Sequence, residues 1–277
     1  MPAPDLSLSA DLAIMRDAVR EAGALALAFR KSGADVWEKA PGDPVTEADL
    51  AVNALLSERL MGARPTYGWL SEETADSADA RTQKRVWVVD PIDGTRAYIR
   101  PDDPYWCVGV AVVEDGVAVA SAIYAPMLDQ FYEARLGGGA FLNNDLITAS
   151  SCAEEAGCRL IAHEQMVRHK AWPEPWPDVM LAKPRPNATL LRMAMIASGA
   201  WDGVVALTKK SDWDLAAGAL LIAEAGGHAT THRGERFVFN RSAPAQQSLV
   251  AAGKALHPLL VRRTHTVPLP DPHAMAP

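Results

Sequence analysis

The sequence predicts an α+β fold, because two helical patterns precede a stretch of short strands and the rest of the chain alternates between helix and strand periodicities. The chain has 277 residues, and 49% of them are hydrophobic, which is enough to bury a sizeable core. The composition changes near residues 144–155. We therefore expect an N-terminal α+β subdomain over 1–148, a C-terminal α/β subdomain over 149–266 and a flexible tail over 267–277.

The first two elements are predicted to be helices. Apolar residues recur at three- and four-residue spacings through residues 8–31, interleaved with charges, which indicates an amphipathic helix that ends near Gly33. A second helix should begin at Thr46, whose hydroxyl group can cap it, and Asp49 falls in its first turn.

Residues 67–143 consist of short apolar runs separated by turn signals, such as "RVWVVD", "WCVGVAVVE" and "VAVASAIYAP". The Asp-Gly pair of "EDGV", at 114–117, is typical of a tight hairpin turn, and "LGGGAFLNN" predicts a glycine-rich edge. This stretch therefore predicts an antiparallel meander.

The chain beyond residue 150 alternates between strand and helix patterns. "CRLIAH", "DGVVAL" and "QSLVAA" predict strands, and "ATLLRMAMIASG" predicts a helix between the first two of them. "SDWDLAAGALLIAEAGG" predicts a helix that its final glycines end, and another helix closes the pattern.

Charge and composition exclude several classes of partner. The net charge of −7 and the absence of a Lys/Arg-rich run argue against nucleic acid or an anionic membrane surface as the main partner. The apolar run at 22–29 is too short to span a bilayer, so neither a membrane span nor a signal peptide is expected. Three cysteines form neither a metal-ligand pattern nor a disulfide framework, so the expected location is the reducing cytoplasm.

The most informative motif is "WVVDPIDGT", at 87–95. The strand should stop at Asp90, because Pro91 cannot donate to a strand ladder, and this would leave Asp90 and Asp93 together on a turn. Two neighbouring carboxylates repel each other unless a cation neutralises them or one is protonated. Oxygen ligands of this kind suit Mg²⁺, which shares its coordination shell with a substrate phosphate.

The same motif also predicts a place for an anion. Gly94 and Thr95 should open a short helix in "GTRAYI", where unpaired backbone N–H groups and the helix dipole favour negative charge. A cation site and a phosphate site would therefore be adjacent.

A bare Asp-Pro-x-Asp pattern has an ordinary alternative explanation, which is a turn followed by a helix cap. Further carboxylates stand at Asp49, at Glu72 and Glu73 in "WLSEET", and at Asp214 in "SDWDLAAG". Each of them alone could be a cap or a solvated charge. All of them lie at predicted strand ends or helix starts, the positions that converge on a site in layered folds.

Five motifs are informative when they are taken together: "GDPVTEAD", "WLSEE", "WVVDPIDGT", "GGGAFLNN" and "SDWDLAAGALLIAEAGG". Through these motifs the chain resembles the inositol monophosphatase family of magnesium-dependent, lithium-sensitive phosphomonoesterases. The resemblance covers most of the chain. It implies a layered α-β-α-β-α sandwich of the inositol monophosphatase / fructose-bisphosphatase type, with the site in a cleft between two subdomains, and a homodimer.

The resemblance also implies a ligand set for two or three Mg²⁺ ions. Glu72, Asp90 and the Ile92 carbonyl group would hold one ion. Asp90, Asp93 and Asp214 would hold a second, and a weaker third ion would lie near Glu72.

Further roles implied by the resemblance concern the attacking water and the phosphate. Thr95, oriented by Asp49, would position the water that attacks phosphorus and help to deprotonate it, and Glu72 is also assigned to catalysis. Gly94 and Thr95 would donate backbone N–H groups to the phosphate. Two metals would stabilise the attacking and the leaving oxygen atoms.

The sequence departs from the family pattern where the leaving group of the substrate should bind. Members that act on inositol phosphates usually show "GTTNF" and a glutamate before the "WD" helix, whereas this chain has "GTRAY" and Leu207 at the expected glutamate position. Lys209 and Lys210 nearby either belong to a solvated loop or bind a second negative charge. Arg96 either reaches the substrate or lies on the surface.

These features predict a Mg²⁺-dependent phosphomonoesterase that acts on a small phosphorylated metabolite. The first candidate is a 3′(2′),5′-bisphosphate nucleotidase, which converts 3′-phosphoadenosine 5′-phosphate to AMP, although the "GTKEF" motif of many such enzymes is absent. The alternatives are a phosphatase for inositol 1-phosphate or another sugar, polyol or histidinol phosphate. An alternative of another class is a regulatory, protein-binding member of the family.

Two other features carry no predicted role. His228 and His232 have the four-residue spacing of a helical metal site, but they fall in a predicted strand and turn, where that spacing does not bring the rings together. The Trp/Pro-rich loop at 171–178 is unusual and has no assigned function.

Overall fold

The structure is a computed structural model that describes residues 6–170 and 172–269. Its helices within these ranges are α1 Leu6–Ser32, α2 Glu47–Ala63, α3 Thr95–Tyr98, α4 Glu164–Val167, α5 Thr189–Ala197, α6 Ala216–Glu224 and α7 His257–Thr264. Short 3₁₀ turns span Ala78–Arg81 and Pro126–Leu128. Most of the predicted tail, residues 270–277, lies outside the described residues.

The strands fall into two groups along the chain. The first strands are β1 Val36–Ala40, β2 Asp43–Thr46, β3 Gly68–Ser71, β4 Arg85–Asp93, β5 Cys107–Glu114, β6 Val117–Ala125, β7 Gln130–Arg135, β8 Ala140–Leu142 and β9 Asp145–Ile147. The later strands are β10 Arg159–Ala162, β11 Met180–Leu181, β12 Gly203–Ala206, β13 Lys210–Ser211, β14 Gly227–Thr230, β15 Ala245–Gln246 and β16 Leu249–Gly253.

Two larger sheets organise the described residues. A seven-stranded sheet has the order β3-β4-β5-β6-β7-β8-β9, and a five-stranded sheet has the order β11-β10-β12-β16-β14. Helices α1 and α2 pack on the outer face of the first sheet, α5 and α6 lie between the two sheets, and α7 packs on the far face of the second. The predicted α-β-α-β-α layering is therefore confirmed. The division of the chain into subdomains at residue 148 stays a prediction.

Three buried clusters correspond to these layers. One joins α1 and α2 to β4 and β5 and contains the fully buried Trp87 and Trp106. The largest lies between the sheets and includes almost all of α5. The third lies between the five-stranded sheet and α7. Because α5 and α6 are covered by a sheet on each side, their sequences are almost entirely apolar.

Two local predictions are confirmed at atomic detail. Thr46 caps α2 in a capping box, in which its hydroxyl group accepts from the Asp49 N–H and its own N–H donates to the Asp49 carboxylate. Asp115 and Gly116 form the hairpin turn between β5 and β6, and both have positive φ angles, as a turn of this type requires.

Strand β4 continues through Pro91 to Asp93, so the prediction that it ends at Asp90 is wrong. Asp90 pairs with Gly109 and Asp93 pairs with Cys107, so β4 carries one extra residue between these two pairs. Pro91 lies in this bulge, where its missing N–H is tolerated. The site of the two aspartates is therefore a bulged strand end rather than a free turn.

The predicted meander also needs a correction. Strand β3 pairs with β4 in parallel, and only the pairs from β4 to β9 are antiparallel. The parallel pair is possible because the chain between β3 and β4 crosses back through the 3₁₀ turn at Ala78–Arg81. None of the described helices is both long and apolar enough to cross a membrane.

Candidate active site

Three carboxylates from two distant parts of the sequence meet at one point. Asp90 and Asp93 come from the bulged end of β4, and Asp214 comes from the segment that leads into α6. One side-chain oxygen atom of each lies within 4.8 Å of the others. This convergence is the one that the sequence predicts, because layered folds bring strand ends and helix starts together.

Asp90 is the most unusual of the three. Its residue is 1% exposed, and neither of its side-chain oxygen atoms has a hydrogen-bond partner among the described residues. Burial raises the pKa of Asp90 well above its usual range, and the neighbouring charges of Glu72 and Asp93 raise it further. A buried carboxylate without a partner is costly, so this position calls for a cation.

Asp93 is held in place by backbone groups. Its carboxylate accepts the N–H groups of Thr189, at 3.0 Å, and of Leu190, both at the start of α5. Burial raises the pKa of Asp93 to about 7 and Asp214 raises it too, whereas the two N–H groups act in the opposite direction. Through these hydrogen bonds Asp93 links strand β4 of the seven-stranded sheet to helix α5.

Asp214 accepts the Ser211 N–H at 2.8 Å through Oδ2. Burial raises its pKa, and Lys210 opposes that shift. Asp214 precedes α6 rather than lying inside it, since that helix begins at Ala216. The short β13 strand and its turn thus fix the direction of this carboxylate.

Glu72 lies in the same cleft but outside the three-carboxylate cluster, where it accepts from the Lys39 ammonium group at 3.3 Å. The same ammonium group donates to Glu73. Burial raises the pKa of Glu72 to about 8, with Lys39 opposing that shift and Glu73 and Asp214 adding to it. Lys39, on the β1–β2 hairpin, therefore supplies positive charge to the acids at this edge.

The donor set fits a hard divalent cation. It consists of oxygen atoms alone, and it is rich in carboxylates. It includes two buried oxygen atoms of Asp90 that no group of the described residues satisfies. A magnesium ion requires such ligands and keeps some of its water, for which the open cleft has room. The residues that are present thus suit Mg²⁺.

Thr95 and Asp49 are also close together. The Thr95 hydroxyl oxygen lies 3.4 Å from Asp49 Oδ1 and 3.2 Å from the Ile92 carbonyl oxygen. The other oxygen of Asp49 accepts from the Thr46 hydroxyl group at 2.6 Å. Burial raises the pKa of Asp49 to about 6, against the Thr46 hydrogen bonds. This pKa places Asp49 near the range in which a carboxylate both accepts and releases protons at neutral pH.

The turn at Gly94 depends on glycine. Its φ angle is 91°, in the left-handed region, and a Cβ atom there would lie 3.0 Å from the Ala188 Cβ and 3.1 Å from the Tyr105 carbonyl oxygen. Thr95 begins α3 immediately afterwards, as predicted. The sequence therefore specifies this turn through one residue.

These groups line a cleft of about 1090 Å³. Every metal-ligand candidate is at its wall, as are Gly94, Lys209 and Lys210. Asp49, which was predicted to orient Thr95, is not at the wall and lies just behind Thr95. Arg96 also reaches the wall, but its guanidinium group donates to the Gly42 carbonyl and so holds the β1–β2 hairpin. Lys209 is exposed, whereas Lys210 is partly buried.

One lysine and two arginines of this cleft were not predicted from the sequence, namely Lys39, Arg185 and Arg192. A signal for Arg192 exists, because it is the single charged residue of the helical pattern "TLLRMAMIA" and a fully apolar helix is expected to be buried. Lys39 has no comparable signal. Its contact depends on where the β1–β2 hairpin lies.

His228 lies on strand β14, and His232 follows the end of that strand. His232 is buried, and its ring nitrogen atoms lie 2.8 Å from the Ser248 hydroxyl oxygen and 3.0 Å from the Val267 carbonyl oxygen. The two ring nitrogens therefore serve packing of the C-terminal segment.

The raised pKa values predict how stability depends on pH without metal. The pKa is about 7 for Asp93 and about 8 for Glu72, against about 4 in an unfolded chain. The folded protein then binds more protons than the unfolded chain, so the free energy of unfolding should fall as pH rises to 8. The pKa of His257 is lowered to about 4 from its usual value of 6.5. His257 therefore makes the free energy of unfolding rise with pH, but only at pH values below about 6.5.

The measurement is the melting temperature in EDTA between pH 6.5 and pH 8, repeated in Mg²⁺. We expect a decrease with pH in EDTA and a much smaller one in Mg²⁺, because the ion compensates the carboxylate charges. A melting temperature in EDTA that stays level or rises over this range would contradict the prediction.

Comparison with known proteins identifies the family of the chain. The model of the inositol monophosphatase family matches residues 8–269. Over 237 residues the chain is 33% identical to an inositol-1-monophosphatase of Rhizobium meliloti, covering 83% of this chain and 88% of that protein. It is 29% identical to a histidinol-phosphatase of Chlorobaculum parvum, covering 91% and 93% of the two chains.

A solved structure gives the same result for the fold. The extragenic suppressor protein suhB from Bartonella henselae superposes with a TM-score of 0.79 at 26% identity, covering 93% of this chain and 99% of that one. The family match extends over nearly the whole chain, and the three-carboxylate cluster lies inside it. The chain belongs to the inositol monophosphatase family.

Proposed function

We propose that the protein is a Mg²⁺-dependent phosphomonoesterase that hydrolyses a small phosphorylated metabolite. The observation that carries this proposal is Asp90, a buried carboxylate with two unsatisfied oxygen atoms beside Asp93 and Asp214. A protein retains such an arrangement at a cost to its stability, and cation binding offsets that cost.

The residues that would hold Mg²⁺ are Asp90, Asp93 and Asp214, with Glu72 and the Ile92 carbonyl group completing the set at the neighbouring position. When bound, the ions supply positive charge to the phosphate oxygens and to both the attacking and the leaving oxygen. Lys39, which donates to Glu72, adds a positive charge from the protein at the same edge.

Thr95 and Asp49 orient the attacking water. The hydroxyl group of Thr95 has one proton, and Asp49 Oδ1 and the Ile92 carbonyl oxygen both lie within reach of it. When it donates to Asp49, its oxygen can accept a hydrogen bond from the water. As the water gives a proton to the Thr95 oxygen, the Thr95 hydroxyl proton would pass to Asp49 Oδ1. Asp49 is fixed by the capping box, so this pair is held in position before the substrate binds.

The phosphate would rest on the turn after β4. The N–H groups of Gly94 and Thr95 belong to the first turn of α3, and the first turn of a helix has no acceptors of its own for such groups. The close approach of Gly94 to Ala188 and Tyr105 fixes this turn against the helix layer. The backbone there can thus donate to phosphate oxygens.

The substrate is proposed to be a bisphosphate nucleotide such as 3′-phosphoadenosine 5′-phosphate. Its support is the basic character of the cleft, in which Lys210 and the arginines of the helix layer face the carboxylates, and the apolar Leu207 where a sugar hydroxyl acceptor is expected. Inositol 1-phosphate is the second candidate, favoured by the similarity to the R. meliloti inositol-1-monophosphatase. Histidinol phosphate is a third, on the similarity to the C. parvum histidinol-phosphatase.

The test is release of phosphate by the purified protein from these three substrates, with Mg²⁺ and with EDTA. We expect Mg²⁺-dependent turnover that is highest for the nucleotide. Higher turnover of inositol phosphate would reassign the substrate and keep the chemistry. Absence of turnover on all three and on p-nitrophenyl phosphate would contradict the phosphatase proposal and favour the regulatory alternative.

Homodimerisation, inhibition by lithium and a cytoplasmic location stay predictions from the sequence. The mass of the protein in solution by light scattering tests the first, and phosphate release in the presence of LiCl tests the second. The tight ligand set proposed for Mg²⁺ gives lithium a place to compete.

A further inference from the structure

Two arginines occupy the wall of the cleft at the start of α5. Arg192 is 6% exposed and lies on that helix, and Arg185 is half-buried in the loop before it. Both line the same cleft as the carboxylate cluster. They are not among the residues that the proposed chemistry uses.

Within residues 6–170 and 172–269, neither arginine has a carboxylate partner. Arg192 donates to the Asn187 carbonyl group, but its Nε atom is buried and has no hydrogen-bond partner among the described residues. Among these residues no carboxylate lies within 4.0 Å of either guanidinium group. Burial lowers the pKa of Arg192 to about 10, and the charge of Arg185 lowers it further, while Asp93 and Asp214 oppose that shift.

Two other arginines with buried side chains are paired with carboxylates. Arg81 donates to both carboxylate oxygens of Asp76. Arg263 does the same with Glu155. Because a buried guanidinium group ordinarily acquires such a partner, two neighbouring ones without it indicate that the partner is an external anion.

The position of Arg192 places that anion next to the reaction site. Asp93 accepts the Thr189 N–H, and Arg192 follows three residues later, so it lies on the same face of α5. Arg192 is therefore about one helical turn from a proposed metal ligand. An anion there would be part of the same substrate molecule whose phosphate binds at the carboxylate cluster.

We propose that Arg185 and Arg192 form a second anion site, which binds a phosphate group on the leaving part of the substrate and makes the enzyme selective for bisphosphates. This inference rests on the proposed phosphatase function. The planar guanidinium group suits it, because it binds phosphate oxygens in pairs and keeps its charge when buried. The arginines, rather than the exposed Lys209, would then determine specificity.

The test uses two substrates that differ only in the second phosphate. They are adenosine 3′,5′-bisphosphate, which is 3′-phosphoadenosine 5′-phosphate, and adenosine 3′-monophosphate. The wild type should prefer the bisphosphate. Arg185→Gln and Arg192→Gln should each lower kcat/KM for the bisphosphate by about tenfold or more, mainly through KM, and change that for the monophosphate much less. Arg236→Gln, which removes an exposed charge outside the cleft, is the matched control and should change neither.

Two results would overturn the proposal. One is a wild type without preference for the bisphosphate, and the other is an equal loss on both substrates, which would mean that the arginines only compensate the carboxylates. Arg192→Lys retains the charge and should recover part of the bisphosphate rate. If Arg192→Gln does not fold, the kcat/KM values of Arg185→Gln on the two substrates decide the question, because the Arg185 side chain is only half-buried.

Binding separates this proposal from the phosphatase proposal. Calorimetric titration with adenosine 3′,5′-bisphosphate in EDTA needs no turnover. Binding by the wild type that is weakened about tenfold in Arg185→Gln would support the anion site even if no substrate were hydrolysed. Binding of equal strength in both proteins would overturn the site even if the wild type were an active phosphatase.

Discussion

Replacing Asp90 with Asn is expected to lower Mg²⁺-dependent phosphate release by about a thousandfold and to raise the melting temperature in EDTA. Asp90 would be shared by both proposed ions, so its loss removes ligand charge from each. Without metal, the wild-type carboxylate is buried, has no hydrogen-bond partner and repels its neighbours. The neutral amide relieves that repulsion and can donate to the adjacent carboxylates.

Asp93→Asn would be a less specific test of the same idea. Asp93 also accepts two N–H groups at the start of α5, so the amide would disturb the helix as well as the ligand set. Asp90 has no such bonds to lose.

The matched control is Asp11→Asn. Asp11 is also fully buried, but its carboxylate is paired with Arg64 and Arg85 and accepts from Tyr67. Its loss should lower the melting temperature and leave turnover within about threefold of wild type, because it lies outside the cleft. Turnover by Asp90→Asn within tenfold of wild type would contradict the metal assignment.

Replacing Thr95 with Ala is expected to lower kcat by about a hundredfold with little change in KM. The hydroxyl group is the link between Asp49 and the attacking water, and the phosphate would be held by backbone N–H groups that Ala retains. The measurement is initial-rate kinetics with saturating Mg²⁺.

Thr95→Ser is the control for this prediction. It keeps the hydroxyl group within reach of Asp49 Oδ1 and should recover most of kcat. A loss that appears only in KM would show that Thr95 binds the substrate rather than positions the water. A Ser variant as slow as the Ala variant would show that the Thr95 methyl group, rather than its hydroxyl group, matters.

Several features could be predicted from the sequence because they depend on neighbours along the chain. The capping box at Thr46, the Asp-Gly turn and the helix that opens at Thr95 each follow from a few adjacent residues. The layered fold and the family follow from five motifs in a fixed order. The meeting of Asp90, Asp93 and Asp214 was expected because these acids lie at predicted strand ends and helix starts, which converge in layered folds.

The end of β4 shows where local reasoning fails. Proline ordinarily ends a central strand, yet pairing with β5 on one side continues to Asp93 through a bulge. The energy of that pairing depends on the residues of both β4 and β5, so the sequence of β4 alone could not predict it. The consequence is that Asp90 is buried within the sheet rather than exposed on a turn.

The sequence by itself determined the family, the helices other than α4 and most strands, and the acids and threonine that the chemistry would use, because each has a short-range pattern. Only the tertiary structure decided which charges lack partners. It paired Lys39 with Glu72 and buried Arg192 beside Arg185. It also left the Asp90 carboxylate without a hydrogen-bond partner in the part of the chain that the structure describes. Electrostatic interaction depends on distance and burial in space, and neither of these is written in the spacing of residues along a chain.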